Sequence, residues 1–271
     1  MAQFDWYQAS VDCPPRIMAD ALMSLPGAHE MEHGRGRLNY SESCTIRTDG
    51  GDAIATVLHG GKNRVLSAVA SGDSAPAFAA LIRSTWPDAH RVTRVDTAQD
   101  VRTDFGTAHA ALQVIAATHG IKGHSIIPDD PADGATYYMG ASTSSNRLRL
   151  YEKGKQSAKL AGTTDGFDLG SVRFEAQLRP VREGRLVAAK LSPDEAWGST
   201  GWLRTIARQN FEFAAGAVVM HGRMPTSVER SERAMFDQYG GVLRRMHSRF
   251  DTSAQFGEAI AAILSGASLP D

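Results

Sequence analysis

The chain has little cysteine and no long hydrophobic run, and we expect no export signal. Its 271 residues include two cysteines, Cys13 and Cys44, too few and too isolated for a disulfide framework or a CxxC metal site, which predicts reduced thiols. No segment approaches the roughly 18 apolar residues of a membrane span. The N-terminus, "MAQFDWYQAS", has no basic segment followed by an apolar one. We therefore expect a cytoplasmic protein with no membrane attachment.

The chain also lacks an excess of basic charge, since its formal net charge is -1. This removes the simplest argument for nucleic-acid binding, and any basic surface must be local. Neither "HGGKNR" nor "EKGKQS" has the spacing of a phosphate-binding P-loop, so no ATP site is expected. No His-hydrophobe-His triplet is present either.

One short stretch, "HEMEH" at 29–33, matches the H-E-x-x-H signature of zinc metalloproteases. That signature requires a helix, which places both histidines on one side of the metal. Glycine and proline flank the stretch closely and leave room for at most about two helical turns. We interpret His29 and His33 as loop or surface residues.

Hydrophobic periodicity predicts helices at 14–25, 73–86 and 103–120, with short strands between and after them. The recurrence of strands around a helix predicts an α+β fold: one antiparallel sheet built from two similar strand-helix-strand halves. Beyond this sheet-based domain, assigned to residues 1–191, the sequence predicts a helical extension at 192–271.

Three predicted strands, "RVTRVDTAQD", "RLRLYEKGKQ" and "SVRFEAQLRP", alternate polar and apolar residues. Alternation in a strand places the polar side chains on one face, while residues such as Leu148 and Phe174 point to a core. The polar residues are Arg94, Asp96 and Asp100 in the first strand, Arg147, Arg149, Tyr151 and Lys153 in the second, and Arg173, Glu175, Gln177 and Arg179 in the third.

These residue types are typical of phosphodiester chemistry. Carboxylates on rigid strands are the usual ligands of Mg²⁺ or Mn²⁺, and arginines bind phosphates in a bidentate manner. We assign DNA contacts to Arg94, Arg147, Arg149 and Arg173. A tyrosine nucleophile needs a neighbouring cation or metal to favour the phenolate, and Lys153, two residues after Tyr151, is placed to provide it.

The ordered motifs "TRVDTAQD", "TYYMGASTSSNRLRLYEKGKQ" and "VRFEAQLR" resemble the replication initiation factor family, the Rep-trans type of rolling-circle initiator of plasmids and filamentous phages. The resemblance spans roughly residues 40–190. It implies a sheet-based nicking domain with Tyr151 as nucleophile. It also implies that Asp96, Glu175 and Asp100 hold the divalent metal. Tyr137 and Tyr138 remain alternatives as the nucleophile. Asp100 has two alternative roles, as an ion-pair partner of Arg102 or as a cap of the next turn.

The resemblance implies a sequence-specific endonuclease and ligase that forms a 5′-phosphotyrosine link and leaves a free 3′-OH for a host polymerase. Its expected partners are replication-origin DNA and a host helicase. The alternative is a non-catalytic DNA- or RNA-binding regulator that uses the same sheet as a stacking platform. The C-terminal helices offer either a solvated face, duplex contacts or a homodimer surface, through Arg233, Arg244, Arg245, His247 and Arg249.

Overall fold

The structure is a computed structural model that describes residues 1–211, 213–220 and 227–265. Its strands all belong to one sheet. In chain order they are β1 (Gln3–Val11), β2 (Glu30–Arg35), β3 (Glu42–Arg47), β4 (Ala53–His59), β5 (Leu66–Ser71), β6 (His90–Arg102), β7 (Gly123–Ile126), β8 (Thr136–Met139), β9 (Asn146–Tyr151) and β10 (Ser171–Leu178).

The chain also forms α-helices, most of them short. They are α1 (Pro15–Leu22), α2 (Ala75–Thr85), α3 (Phe105–Thr118), α4 (Lys153–Ala161), α5 (Gly184–Ala188), α6 (Pro193–Ala196), α7 (Gly201–Asn210), α8 (Ser227–His247) and α9 (Ser253–Leu264).

The sheet has the order β2-β3-β4-β5-β1-β6-β10-β9-β8-β7, and each described pairing is antiparallel. Each half begins with a central strand and a helix, and then adds four strands that return from the edge towards the centre. The two halves meet where β1 pairs with β6. The predicted α+β fold with two similar halves is confirmed.

Helices cover the apolar face of the sheet. On β9 and β10 the alternate residues Leu148, Leu150 and Phe174 are completely buried in the core. They are buried because successive side chains of a strand point to opposite faces, and α2, α3 and α7 contribute further apolar residues to the same core. The polar residues of β9 and β10 are thereby directed to the other face.

The chain divides into two compact units, Met1–Gly222 and Arg223–Asp271. The first unit extends beyond the predicted boundary at residue 191, because α7 contributes Leu203 and Ile206 to the buried core. The second unit contains α8 and α9, which contact each other. The side chain of Arg233 lies outside the described residues.

Several local features differ from the sequence-based expectation. The "HEMEH" stretch forms no helix, and its two histidines are exposed as expected; the difference is that Glu30 to His33 belong to the edge strand β2, which His29 directly precedes. The strand predicted to continue to Lys153 ends at Tyr151, and Lys153 begins α4.

Both cysteines are free thiols. Within the described ranges, no helix combines the length and apolar composition needed to cross a membrane.

Candidate active site

Cross-strand pairing arranges the polar residues of β6, β10 and β9 in three parallel rows. Directly paired residues of an antiparallel sheet lie on the same face, so the three rows form one continuous polar surface. We name them the tyrosine row (Asp100, Arg173, Tyr151), the glutamate row (Ala98, Glu175, Arg149) and the glutamine row (Asp96, Gln177, Arg147).

The first strand of the chain adds two residues to this surface that sequence reasoning missed. Trp6 pairs with Asp96 at the end of the glutamine row, and the Asp5 carboxylate binds Arg173. The alternation in "QFDWYQASV" was a usable signal for a strand. Nothing in the sequence indicated that this strand lies in the centre of the sheet beside β6.

Arg173 organises the carboxylates of the tyrosine row. Its Nε and Nη2 donate to the two oxygens of Asp100 at 2.5 and 2.7 Å, and its Nη1 donates to Asp5 Oδ1 at 2.6 Å. The arginine is 6% exposed. The sequence predicts a DNA contact for Arg173; in the structure all three of its guanidinium nitrogens contact carboxylates of this chain.

Tyr151 is the last residue of β9 and is 4% exposed. Burial raises the pKa of its phenol, and the guanidinium of Arg173 is the strongest group that opposes this rise. The guanidinium carbon of Arg149 lies 3.8 Å from the centre of the Tyr151 ring. The cations beside the phenol are therefore two arginines of the sheet.

Lys153 does not occupy the strand position that the sequence predicted for it. It begins α4, where the next residue, Gly154, approaches the Asp168 carbonyl so closely that a Cβ would lie 1.8 Å from the oxygen.

Burial and the Glu175 carboxylate raise the pKa of Asp5, while Arg173 and then Lys153 oppose the rise. The charge of Lys153 therefore favours the ionised form of the Asp5 carboxylate.

Asp96 and Glu175 are the two most buried carboxylates of the surface, at 1% and 3% exposure. Arg94 donates from Nη2 to Asp96 Oδ2 at 2.5 Å and from Nε to Oδ1 at 3.0 Å. Burial nevertheless raises the pKa of Asp96 to about 7, against the opposing effect of Arg94. Glu175 accepts a hydrogen bond from Gln177 Nε2 at 2.7 Å and lies 3.6 Å from Arg149 Nη1.

The donor atoms around Asp96 and Glu175 have the chemistry that Mg²⁺ or Mn²⁺ requires. Gln177 lies between them in the rows, and its Oε1 is a buried acceptor without a hydrogen-bond partner. Asp100 is not part of this group, because it lies in the tyrosine row, on the other side of Glu175 from Asp96 and Gln177, and its side chain is 43% exposed. In the described residues no three acidic, histidine or cysteine side chains come together as a metal site. The groups that could hold the metal are therefore the carboxylates of Asp96 and Glu175 and the amide oxygen of Gln177.

The alternative tyrosines lie on opposite faces of β8. Tyr137 is buried in the core and its ring centre lies 4.5 Å from that of His109. Tyr138 pairs with Arg149 on the polar face, and the guanidinium carbon of Arg147 lies 3.8 Å from its ring centre. Tyr138 therefore shares the surface with Tyr151, whereas Tyr137 does not.

The fold is similar to that of a solved structure, the rolling circle replication initiator protein from Geobacillus stearothermophilus. The two share 17% sequence identity over 85% of this chain and 90% of the other, with a TM-score of 0.53. No protein-family model matches the chain, and no curated protein matches it by sequence. The similarity at this identity establishes the fold.

Proposed function

We propose that the protein is a rolling-circle replication initiator that nicks and rejoins one DNA strand through Tyr151. The observation that carries this proposal is the tyrosine row, in which a phenol, a fixed guanidinium and a carboxylate lie side by side at the end of a strand. The fold shared with a replication initiator supports the same conclusion. The sequence motifs on β6, β9 and β10 are those that resemble the initiator family.

In the proposed reaction the Tyr151 oxygen attacks the scissile phosphorus, and the bond from phosphorus to the 3′ oxygen breaks. The phenolic proton ends on the departing 3′ oxygen. The products are a 5′-phosphotyrosine and a free 3′-OH, which a host polymerase extends after a helicase opens the duplex. Because the linked ester retains its energy, a later 3′-OH reverses the step and seals the strand without nucleotide hydrolysis.

The residues of the chain have separate tasks in this reaction. Arg149 stacks on the Tyr151 ring and orients it, while Arg173 places positive charge beside the phenol oxygen and favours its ionised form. Asp96 and Glu175 would hold Mg²⁺ or Mn²⁺, which supplies a Lewis acid for the phosphate oxygens.

A nicking assay on single-stranded circular DNA that carries the cognate origin, with and without Mn²⁺, tests the proposal. We expect a metal-dependent linear product with protein bound to its 5′ end, and mass spectrometry should locate the link at Tyr151. Tyr151→Phe should abolish both products, while the control Tyr138→Phe should retain them. An adduct at Tyr138 would transfer the nucleophile to β8, and nicking by Tyr151→Phe without any adduct would contradict a tyrosine mechanism.

A non-catalytic DNA- or RNA-binding regulator is the second candidate, favoured by two observations. Tyr151 is nearly inaccessible, and Asp5, Asp96 and Asp100 each bind an arginine. A binder of this kind would retain affinity for DNA and give no adduct under any metal condition. The same assay therefore distinguishes the two candidates.

A further inference from the structure

Arg94, Arg147 and Arg179 converge at the end of the polar surface away from Tyr151. Arg179 directly follows β10, and its backbone N–H donates to the Ser145 carbonyl at 2.7 Å. Arg147 lies in the glutamine row, Arg94 donates to Asp96 of the same row, and Arg179 follows Gln177 by two residues. We name these three residues the arginine cluster.

The arginine cluster has too few acidic partners for its charge. Asp96 is bound by Arg94, and among the described residues no side chain or carbonyl forms a hydrogen bond or ion pair with the guanidinium of Arg147 or Arg179. Two of their nitrogens, Arg147 Nε and Arg179 Nη1, are buried and have no hydrogen-bond partner. Leaving buried donors unsatisfied costs stability, so an anion that binds here gains contacts that the protein itself does not supply.

Aromatic rings hold two of the guanidinium groups in place. The guanidinium carbon of Arg94 lies 4.3 Å from the ring centre of Trp6, and that of Arg147 lies 3.8 Å from the ring centre of Tyr138. Stacking of this kind orients the planar donors of arginine. Aromatic rings beside arginines are also the composition of surfaces that bind single-stranded nucleic acid.

The cluster is too far from Tyr151 to bind the phosphate that the phenol attacks. Arg147 precedes Tyr151 by four residues on β9, which corresponds to about 13 Å along a strand. Arg179 lies further from Tyr151 in the same direction. It follows Arg173, which pairs with Tyr151, by six residues. A phosphate in the cluster therefore belongs to another nucleotide of the same strand.

We propose that Arg94, Arg147 and Arg179 form a binding subsite for a non-scissile phosphate of single-stranded DNA. This inference rests on the proposed function for the identity of the polymer, and it adds a subsite and a residue, Arg179, that the nicking reaction does not require. The subsite fixes the strand at a second point, so that the scissile phosphate is held in register with Tyr151.

Binding of a labelled single-stranded DNA of about 16 nucleotides to Tyr151→Phe protein tests the subsite without any need for nicking. We expect Arg179→Gln, added to that protein, to weaken binding by on the order of tenfold, the loss typical of a hydrogen bond to a charged group. The slope of log affinity against log salt should become shallower by about 0.7, the value for one lost contact to a single strand. Arg179→Lys, which keeps the charge, should recover part of the affinity.

The matched control is Arg16→Gln, which removes one exposed charge from α1 and should change neither affinity nor slope. Thermal unfolding separates binding from structure, because among the described residues no hydrogen bond or ion pair of the Arg179 guanidinium is lost, so the unfolding midpoint should not fall. Arg147→Gln provides a second variant with the same expected loss.

Two results would overturn the subsite: unchanged affinity and slope in both Arg179→Gln and Arg147→Gln, or no binding of single-stranded DNA by the parent protein. Tighter binding of an RNA of the same sequence would overturn the assignment to DNA. Arginine-dependent binding by a protein that never nicks would support the subsite and contradict only the proposed enzymatic function.

Discussion

Arg173 occupies the place beside Tyr151 that the sequence assigned to Lys153. An arginine suits this place because its planar group donates to Asp5 and Asp100 at once and remains charged at any working pH. A lysine on α4 has neither the fork geometry nor a fixed position on the sheet. The positive charge that favours the phenolate is thus part of the sheet framework.

The position of Lys153 at the start of α4 leads to a kinetic prediction. Lys153→Ala should lower the nicking rate by less than about tenfold, because a partly exposed charge contributes less than about 1 kcal/mol. Single-turnover nicking measured at several pH values checks this expectation. A loss as complete as that of Tyr151→Phe would instead make Lys153 indispensable to the chemical step.

The metal assignment is tested at Asp96 and Glu175. Asp96→Asn and Glu175→Gln should each reduce Mn²⁺-dependent nicking by more than about 100-fold, since loss of even the outer partners of a metal costs roughly 10–100-fold. Calorimetric titration with Mn²⁺ should show weakened binding in both variants. Asp100→Asn is the control, with a smaller effect because that carboxylate is more exposed and lies in the tyrosine row, away from Asp96 and Gln177. Unaltered Mn²⁺ binding in both test variants would place the metal elsewhere.

At the scale of elements, a buried network joins β1, α2 and β6. His90 Nδ1 lies 2.6 Å from the Trp86 carbonyl and therefore carries the proton, so Nε2 accepts from the Tyr7 hydroxyl at 3.0 Å. Arg83 Nε donates to the same hydroxyl at 3.2 Å. Burial lowers the pKa of His90, against the effect of its bond to Trp86. The folded protein therefore holds this histidine neutral.

This network predicts that stability falls in mild acid. Below a pH of about 6.5 the histidine of the unfolded chain binds a proton, whereas the folded chain takes up that proton only at lower pH. The unfolded state then binds more protons, so the free energy of unfolding decreases as the pH falls. Urea unfolding between about pH 5 and 7.5 should show a weaker pH dependence in His90→Gln than in the control His33→Gln. Equal pH dependence in both variants would contradict the assignment.

The strands and their pairing also show how much of the fold and of the candidate site the sequence could predict. Alternation located β6, β9 and β10 and the residues of their polar face, because a period of two directly encodes which side chains share a face. The position of β1 depends on pairing between Trp6 and Asp96, residues far apart in the chain, so Asp5 and Trp6 were missed. Alternation also could not show that Asp96, Arg173 and Glu175 are buried, since long neighbouring side chains cover one another on this face.

At the scale of the molecule, the two halves share a strand order but not a chemistry. In the second half, β10 and β9 present the charged rows described above. Their counterparts in the first half, β5 and β4, offer small neutral groups on the polar side, where Ser67 bonds with Gln8 and Thr56 with Thr45. The first half therefore extends the sheet and its core and adds Asp5 and Trp6 of β1 to the candidate active site, while the second half carries the three rows.

The division of the chain at Gly222 gives a prediction for the whole protein. Among the described residues, every buried apolar side chain precedes residue 208, so a chain that ends at Gly222 should keep its core. We expect it to unfold cooperatively within a few degrees of the full-length midpoint and to retain Mn²⁺-dependent nicking. Circular dichroism and the nicking assay check this, and light scattering compares oligomeric states. If only the full-length chain forms a dimer, the expected homodimer surface lies in α8 and α9. If the shortened chain does not unfold cooperatively, the first unit does not fold independently.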